Sequence, residues 1–390
     1  MIPYGRQEII DDDIAEVEKV LRSDYLTQGP VVPKFEQSVS KYCNVNYGVA
    51  VNSATSALHI ACLALGLGPG DMLWTSPNTF VASANCGRYC GADIDFVDID
   101  PKTYNMSISA LSEKLIKAKK IGKLPKIVVP VHFAGQPCDM AAIHDLSKSY
   151  GFKIIEDASH SIGASYKKVK VGSCTYSDVT VFSFHPVKII TTGEGGMALT
   201  NDKKLSESIR RLSTHGITKD ELLMSKRSAN EIWNYQQIQL GFNYRMNDIQ
   251  AALGISQLKR LDSYVSRRHE IASYYDLKLN NLPITSPWQL PNTYSSYHLY
   301  PICIENDSNT KLQKKIYQKL YENGIAANLH YIPVHRQPYY ESLGFKKGDF
   351  LESEKFHRKV ISLPIFPSLK KSECEKVISV ISKVFQKSAS

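Results

Sequence analysis

The sequence predicts an α/β protein: a large domain built on a mostly parallel sheet with helices on both faces, then a smaller C-terminal α/β domain. Three observations carry this. Between residues 47 and 212, short runs rich in Val, Ile and Phe alternate with stretches of helical period. Several of these runs, such as KIVVPVHF (126–133), are apolar at consecutive positions, as strands covered on both faces are. Near residue 245 the rhythm gives way to a long helical stretch, and a shorter mixture of strands and helices follows. Residues 1–245 are therefore read as the large domain with an N-terminal arm, and 246–390 as the small domain including the connecting helix.

Taken in order, the first helix opens at Asp11–Asp13, whose carboxylates suit a helix N-terminus, and Ile14, Val17 and Leu21 share one of its faces. SDYLTQGP is a loop punctuated by Gly29-Pro30. Val49–Val51 is a strand, and SATSALHIACLALGL a helix opening on small hydroxyl residues. MLWTSP is a strand, FVASANCGRYC a helix, IDFVDID a strand, and KIVVPVHF another. CDMAAIHDLSKSYG is a helix closed by Gly151. FKIIEDAS, DVTVFSFH and GGMALT are strands, and 203–212 is a helix. MNDIQAALGISQLKRLDSYVSRRHEIASYYDLKL reads as one long helix, with Ile249, Leu253, Leu258 and Leu261 apolar at helical spacing. Beyond it, strands are expected at 297–304, 326–331 and 362–366, and helices at 311–323 and 373–384.

Composition narrows the function classes. The 390 residues are 43% hydrophobic and 22% charged, an ordinary globular balance that excludes wholesale disorder. The longest apolar run, Leu58–Leu67, is about half the length of a membrane-spanning helix, and the N-terminus shows no secretory signal, so a cytoplasmic protein without membrane contact is expected. The net charge of +9 is spread over amphipathic stretches such as Lys114–Lys126 and not clustered, which disfavours nucleic acid and suits a small anionic substrate. The eight cysteines contain no CxxC pair; Cys86 and Cys90 lie one helical turn apart, but no second ligand pair follows, so no metal is expected.

Ligands of open parallel sheets bind beyond the carboxyl ends of the strands, which directs attention to three strand ends. NSATS (52–56) joins a strand to a helix; its amides and hydroxyls suit a phosphate, or simply cap the helix. No GxGxxG and no GxxxxGK[ST] accompanies it. EDASH (156–160) ends an apolar strand with Glu156 and Asp157, and strand alternation allows only one of the two carboxylates into a site on one face. SFHPVKIITTGEGG (183–196) places Lys188 between apolar neighbours on a loop closed by glycines, a setting that depresses an amine's pKa and makes it a nucleophile. A phosphate cradle, a strand-end carboxylate and a shielded lysine together match the needs of pyridoxal phosphate.

These segments, with TQGP (27–30), PNTFVASAN (77–85), PVHFAGQ (130–136) and LGFNYRMNDIQAALG (240–254), resemble the DegT/DnrJ/EryC1/StrS sugar aminotransferases over essentially the whole chain. The resemblance implies the fold type I architecture of PLP-dependent transferases. It implies Lys188 as the Schiff-base lysine, Asp157 as the partner of the pyridinium nitrogen, and His160, where the family often has Gln, beside the cofactor. Thr55, Ser56 and Ser183 would hold the phosphate and Phe80 would lie against the ring, although Phe80 also suits a core position. Asn243 would reach the phosphate of a neighbouring subunit, making a homodimer with shared sites, unless it only caps its own turn. Tyr4, Asp24, Tyr25, Leu26, Thr27, Asn328, Leu329, His330 and Tyr331 fall in segments that would line a nucleotide-sugar cleft, together with Ser183 and Asn243. MIPYGRQ and SDYLTQGP further resemble the subgroup acting in pseudaminic acid biosynthesis, which implies UDP-2-acetamido-2,6-dideoxy-β-L-arabino-hexos-4-ulose as acceptor and L-glutamate as amino donor. Alternatives are an aminotransferase for another nucleotide-linked keto sugar, a dehydratase of the same fold, which Lys188 argues against because such members carry His there, or a non-catalytic regulator that binds PLP or a nucleotide sugar.

Overall fold

The computed structural model describes residues 1–226, 231–305 and 310–389. A short strand β1 (Ile2–Pro3) precedes two helices, α1 (Asp11–Leu21) and α2 (Val31–Cys43). There follow β2 (Tyr47–Val51), α3 (Ala54–Ala64), β3 (Met72–Thr75), α4 (Ala82–Tyr89), β4 (Asp93–Phe96), α5 (Ile108–Lys120), β5 (Ile127–Val129), α6 (Met140–Tyr150) and β6 (Lys153–Asp157). A ribbon of β7 (Ser165–Tyr166) and β8 (Val169–Lys170) leads to β9 (Val179–Ser183), β10 (Gly196–Thr200) and α7 (Lys203–Ser213). Then come β11 (Ile217–Thr218), β12 (Gln236–Gln237), α8 (Asp248–Leu258), α9 (Leu261–Leu279), β13 (Ile284–Thr285), β14 (Thr293–Tyr294) and β15 (Tyr300–Ile304). The chain closes with α10 (Lys311–Glu322), β16 (Ile325–Ala326), α11 (Pro338–Glu341), α12 (Leu351–His357), β17 (Val360–Leu363) and α13 (Lys371–Ala389).

Seven strands form the central sheet in the order β2–β10–β9–β6–β5–β3–β4. From β9 to β4 all neighbours are parallel, while β10 runs antiparallel to both β2 and β9. Alternate residues feed opposite faces. Val181 and Ala198 pack with Leu58, Ala84 and Ile209 of α3, α4 and α7. Their neighbours Phe182 and Met197 pack with Phe35, Ala251 and Val265 of α2, α8 and α9. Burial on both faces is why these strands read as unbroken apolar runs.

The antiparallel sheet β13–β15–β17 has its own core, which includes Ile302, Ile316, Leu363 and Val377. Ile2 joins that core, and β1 pairs in parallel with β16, so the N-terminal arm is tied to the C-terminal part of the molecule.

Several elements depart from the sequence reading. Helix α2 was not foreseen: Pro30 and Pro33 obscure its start, but both fall at or within the first turn, where proline is tolerated, and Phe35, Val39 and Cys43 then repeat every four residues on its buried face. The long helix is two helices, broken at Lys259–Arg260. In α8 the buried face is Ala251, Ala252, Gly254, Ser256 and Gln257, with the larger Ile249 and Leu253 only half-buried. Small residues are needed there: a Cβ on Gly254 would stand 2.7 Å from the Phe35 ring. In α1 the buried residues are Asp13 and Val20, while Ile14 and Leu21 stay 58% and 56% exposed. Asp13 faces the end of α8 and the break that follows it, accepting hydrogen bonds from Gln257 (2.8 Å) in α8 and from Arg260 (2.7 and 2.8 Å) at the break. Finally, the strand expected over 326–331 is reduced to Ile325–Ala326 and a single antiparallel bridge from Asn328 to Ser362, after which Leu329, His330 and Tyr331 line the cleft.

Candidate active site

The carboxyl ends of β6 and β9 and the end of β2 open into one cleft of about 810 Å³. Its floor carries Lys188. After β9 the chain folds back on itself: Phe184 N donates to Gly195 O, Thr192 N to Phe184 O, and Lys188 N to His185 O. Gly193 supplies the positive φ of 79° that this return needs. Ile189 and Ile190 are buried in the core beneath the loop. The Lys188 side chain is thereby held in the cleft, and burial pushes its pKa down to about 8, with the Asp157 carboxylate working in the opposite direction.

The two adjacent carboxylates of β6 go to opposite faces, as the alternation requires. Asp157 lines the cleft. It accepts a hydrogen bond from Ser83 Oγ at 2.6 Å and one from the Ser159 amide at 3.1 Å. Glu156 points away and accepts from Ser177 Oγ, Thr180 Oγ1 (3.0 Å) and His132 Nε2 (2.7 Å). The Cys138 amide donates to His132 Nδ1 at 3.1 Å, so the ring proton sits on Nε2. Burial works against ionisation of Glu156, but the hydrogen bonds from His132, Ser177 and Thr180 hold its carboxyl below the ordinary range.

At the other end of the cleft stands the N-terminus of α3. Ser53 is its cap, accepting from the Ser56 amide at 3.1 Å, while Thr55 and Ser56 line the cleft in the first turn. Strand β10 passes so close that a Cβ on Gly196 would lie 2.4 Å from Ala54 N; only glycine allows the helix start to sit against the sheet here. Ser183, at the end of β9, completes this end.

His160, three residues after Asp157, stands in the cleft wall. Tyr331 Oη is 3.2 Å from its Nε2, and burial together with Lys188 and His330 holds its pKa well below that of a free imidazole, so the ring is neutral. His330 is likewise pushed down to about 3 by burial and Lys188, and bonds Ser362 Oγ through Nδ1 at 2.9 Å. Tyr4 and Asn328–Tyr331 close the cleft from the C-terminal side, with Tyr4 anchored through its carbonyl to the Ile365 amide (3.0 Å). Phe80 is 59% exposed and lines the cleft instead of the core.

Asn243 and Asp24–Thr27 are not part of this cleft. Asn243 is exposed in its own chain, bridges Thr214, and does not cap the following helix; that cap is Asn247, which accepts from the Gln250 amide. Tyr25 and Leu26 are 57% and 47% exposed on the loop between α1 and α2. Sequence reasoning missed Thr79, Ser83 and Ser159, which surround Asp157; a hydroxyl three residues beyond a loop aromatic carries no signal until the helix that bears it is placed.

The cleft fits pyridoxal phosphate. Two of its buried polar atoms, Asn52 Oδ1 and His160 Nδ1, have no hydrogen-bond partner among the described residues, and buried polar groups are rarely left so without a ligand to meet them. A shielded amine, a carboxylate and a helix N-terminus in one cleft of a mostly parallel seven-stranded sheet define a PLP-dependent transferase of fold type I. More narrowly, the chain belongs to the DegT/DnrJ/EryC1/StrS aminotransferase family, whose model matches residues 7–382. It is a sugar aminotransferase and its cofactor is pyridoxal phosphate. It is 37% identical to the spore coat polysaccharide biosynthesis protein SpsC of Bacillus subtilis over 97% of this chain and 96% of that protein. It is 34% identical to the UDP-4-amino-4,6-dideoxy-N-acetyl-beta-L-altrosamine transaminase of Campylobacter jejuni, over 99% and 98%. Among solved structures it resembles Helicobacter pylori PseC, an aminotransferase of pseudaminic acid biosynthesis, with a TM-score of 0.90, 31% identity and 99% of each chain covered. No helix among the described residues is long and apolar enough to cross a membrane, and all eight cysteines are buried and free of disulfides.

Proposed function

We propose that this enzyme moves an amino group from L-glutamate to C4 of UDP-2-acetamido-2,6-dideoxy-β-L-arabino-hexos-4-ulose, giving UDP-4-amino-4,6-dideoxy-N-acetyl-β-L-altrosamine for pseudaminic acid biosynthesis. The observation that carries the aminotransfer is the half-buried Lys188 amine, its pKa lowered, sharing one cleft with the Asp157 carboxylate. The likeness to the Campylobacter transaminase and to PseC supports the sugar. When bound, pyridoxal phosphate supplies an aldehyde carbon that takes up the amino group and a ring that absorbs the electrons of the neighbouring carbon.

This chain's residues do the rest. Lys188 holds the cofactor covalently and, once displaced, takes and returns a proton at Nζ; a pKa near 8 leaves part of the amine unprotonated at neutral pH. Asp157 keeps a proton on the ring nitrogen. Neutral His160 offers Nδ1 to the cofactor. Thr55, Ser56 and Ser183 hold the phosphate with the opening amides of α3, and Phe80 offers its ring face. Tyr4, Asn328, Leu329, His330 and Tyr331 orient the sugar. Residues 1–245 and 246–390 act as the large and small domains, and the cleft takes residues from both. Asn243, and with it Asp24–Thr27, serve the cleft of a second copy. In support, the segment 232–240 just before Asn243 leaves Ile232, Trp233 and Leu240 at 95%, 72% and 79% exposed, apolar surface that a partner would cover.

A screen of purified holoenzyme with L-glutamate and a set of UDP- and dTDP-linked keto sugars, read by mass spectrometry, tests the reading. Amination of the 4-keto sugar named above supports it. Amination of a different nucleotide sugar alone, as the likeness to a spore coat protein would favour, replaces the sugar and keeps the reaction.

A further inference from the structure

Asp157 is held by a short chain of two hydroxyls, Ser83 and Thr79, of which Thr79 alone also borders the cleft. Ser83, on α4, is fully buried and does not line the cleft, yet its Oγ is 2.6 Å from Asp157 Oδ2. A carboxylate ionised against a pyridinium can only accept, so Ser83 donates. Ser83 has then spent its proton, and the 2.8 Å contact with Thr79 Oγ1 runs from Thr79 to Ser83. Thr79 is 2% exposed. The other carboxylate oxygen, Oδ1, accepts the Ser159 amide at 3.1 Å. Donors from two different segments, one helical and one at the end of β6, thus fix both oxygens and with them the plane of the carboxylate. Hydrogen bonds to a charged acceptor are short and strong, and a relayed donor strengthens the one it feeds.

We propose that Ser83, backed by Thr79, is a positioning residue that sets Asp157 toward the cofactor's ring nitrogen. The inference rests on the assignment of Asp157 to that nitrogen. Its alternative is that the two hydroxyls only pack α4 against the sheet, in which case the cofactor's ring chemistry would be indifferent to them.

The ring nitrogen itself separates the two. Binding of pyridoxal phosphate and of its 1-deaza analogue, in which C–H replaces the ring nitrogen, is measured by equilibrium dialysis on apoprotein. Ser83→Ala should weaken pyridoxal phosphate about tenfold, the scale of one lost charge-assisted hydrogen bond, and leave the deaza analogue unchanged within about twofold. Thr79→Val keeps the shape and removes the outer hydroxyl; it should show the same selective loss at about two- to threefold, and it stands in should Ser83→Ala fail to fold. Equal weakening of both cofactors by these variants, or weakening of neither, overturns the positioning role. Asp157→Asn is the control: if it too fails to discriminate the two cofactors, the assignment of Asp157 falls first and the role of Ser83 with it, whereas a discriminating Asp157→Asn beside an indifferent Ser83→Ala overturns only the present inference.

Discussion

Lys188 owes its expected reactivity to what surrounds it. Ile189 and Ile190 are drawn into the core on one side, and His160 and His330 stand near on the other, both neutral. With its pKa near 8, the amine is largely protonated at pH 6 and largely free at pH 9. Because the free amine is the nucleophile, the rate at which apoprotein takes up pyridoxal phosphate should rise through pH 8 and level off above it. Borohydride treatment of the holoenzyme should fix the label on Lys188, and recovery on another lysine would sink the assignment. Lys188→Ala removes a cleft amine and no core volume, so it should fold, keep its melting temperature, and lose transamination by several orders of magnitude. Asp157→Asn keeps the shape and removes the charge; loss of a partly buried charge pair predicts a fall in kcat of at least about a hundredfold. Near-normal turnover would move the role elsewhere, but not to Glu156, whose carboxylate is committed to His132, Ser177 and Thr180 on the far face.

At the scale of elements, the contact between α1 and α8 shows what a pattern of apolar residues conceals. Asp13 is 1% exposed and paired with Arg260, whose side chain keeps a fifth of its surface in water. Burial opposes its ionisation, and Arg260, Ser256 and Gln257 more than offset this, so its carboxyl titrates below the ordinary range. Asp13→Ala leaves Arg260 unpaired and should cost about 3 kcal/mol in chemical denaturation, at the low end for a broken buried pair because Arg260 is not wholly dry. The contribution is full at neutral pH and disappears as pH falls below the usual carboxylate range, since the folded pKa is the lower one. Sequence periodicity picks out Ile14, Val17 and Leu21 as the apolar face of α1 because it scores apolarity, and a helix seated on small residues through an ion pair does not announce itself that way. The central strands were legible for the converse reason: their burial is nearly complete, and only apolar runs satisfy it. The motifs at 52–56, 156–160 and 183–196 were legible because each sits where a strand ends, whereas α2 was hidden by prolines that its first turn tolerates.

At the scale of the whole molecule, the cleft of one chain gathers Lys188, Asp157, His160 and the start of α3 but leaves Asn243 facing outward, one residue from the Tyr244 carbonyl that accepts the Asn52 amide at 2.8 Å. The segment is thus tied through its backbone to the end of β2 in its own sheet, while the Asn243 side chain is exposed. Isologous dimers repeat such an arrangement twice about a two-fold axis. If Asn243 completes the partner's phosphate site, Lys188→Ala and Asn243→Ala proteins, each weak alone, should complement when mixed under conditions that exchange subunits. In a mixed dimer one site collects both defects and the other is intact, so activity should rise toward about a quarter of the wild-type value at equal mixing, since random exchange makes half the dimers mixed and each of these carries one working site of two. Exchange can be followed independently by native mass spectrometry of a tagged and an untagged variant. A mixture that exchanges fully and regains nothing would show that Asn243 acts within its own chain or not at all, and would leave the single-chain cleft to bind its phosphate through Thr55, Ser56 and Ser183 alone.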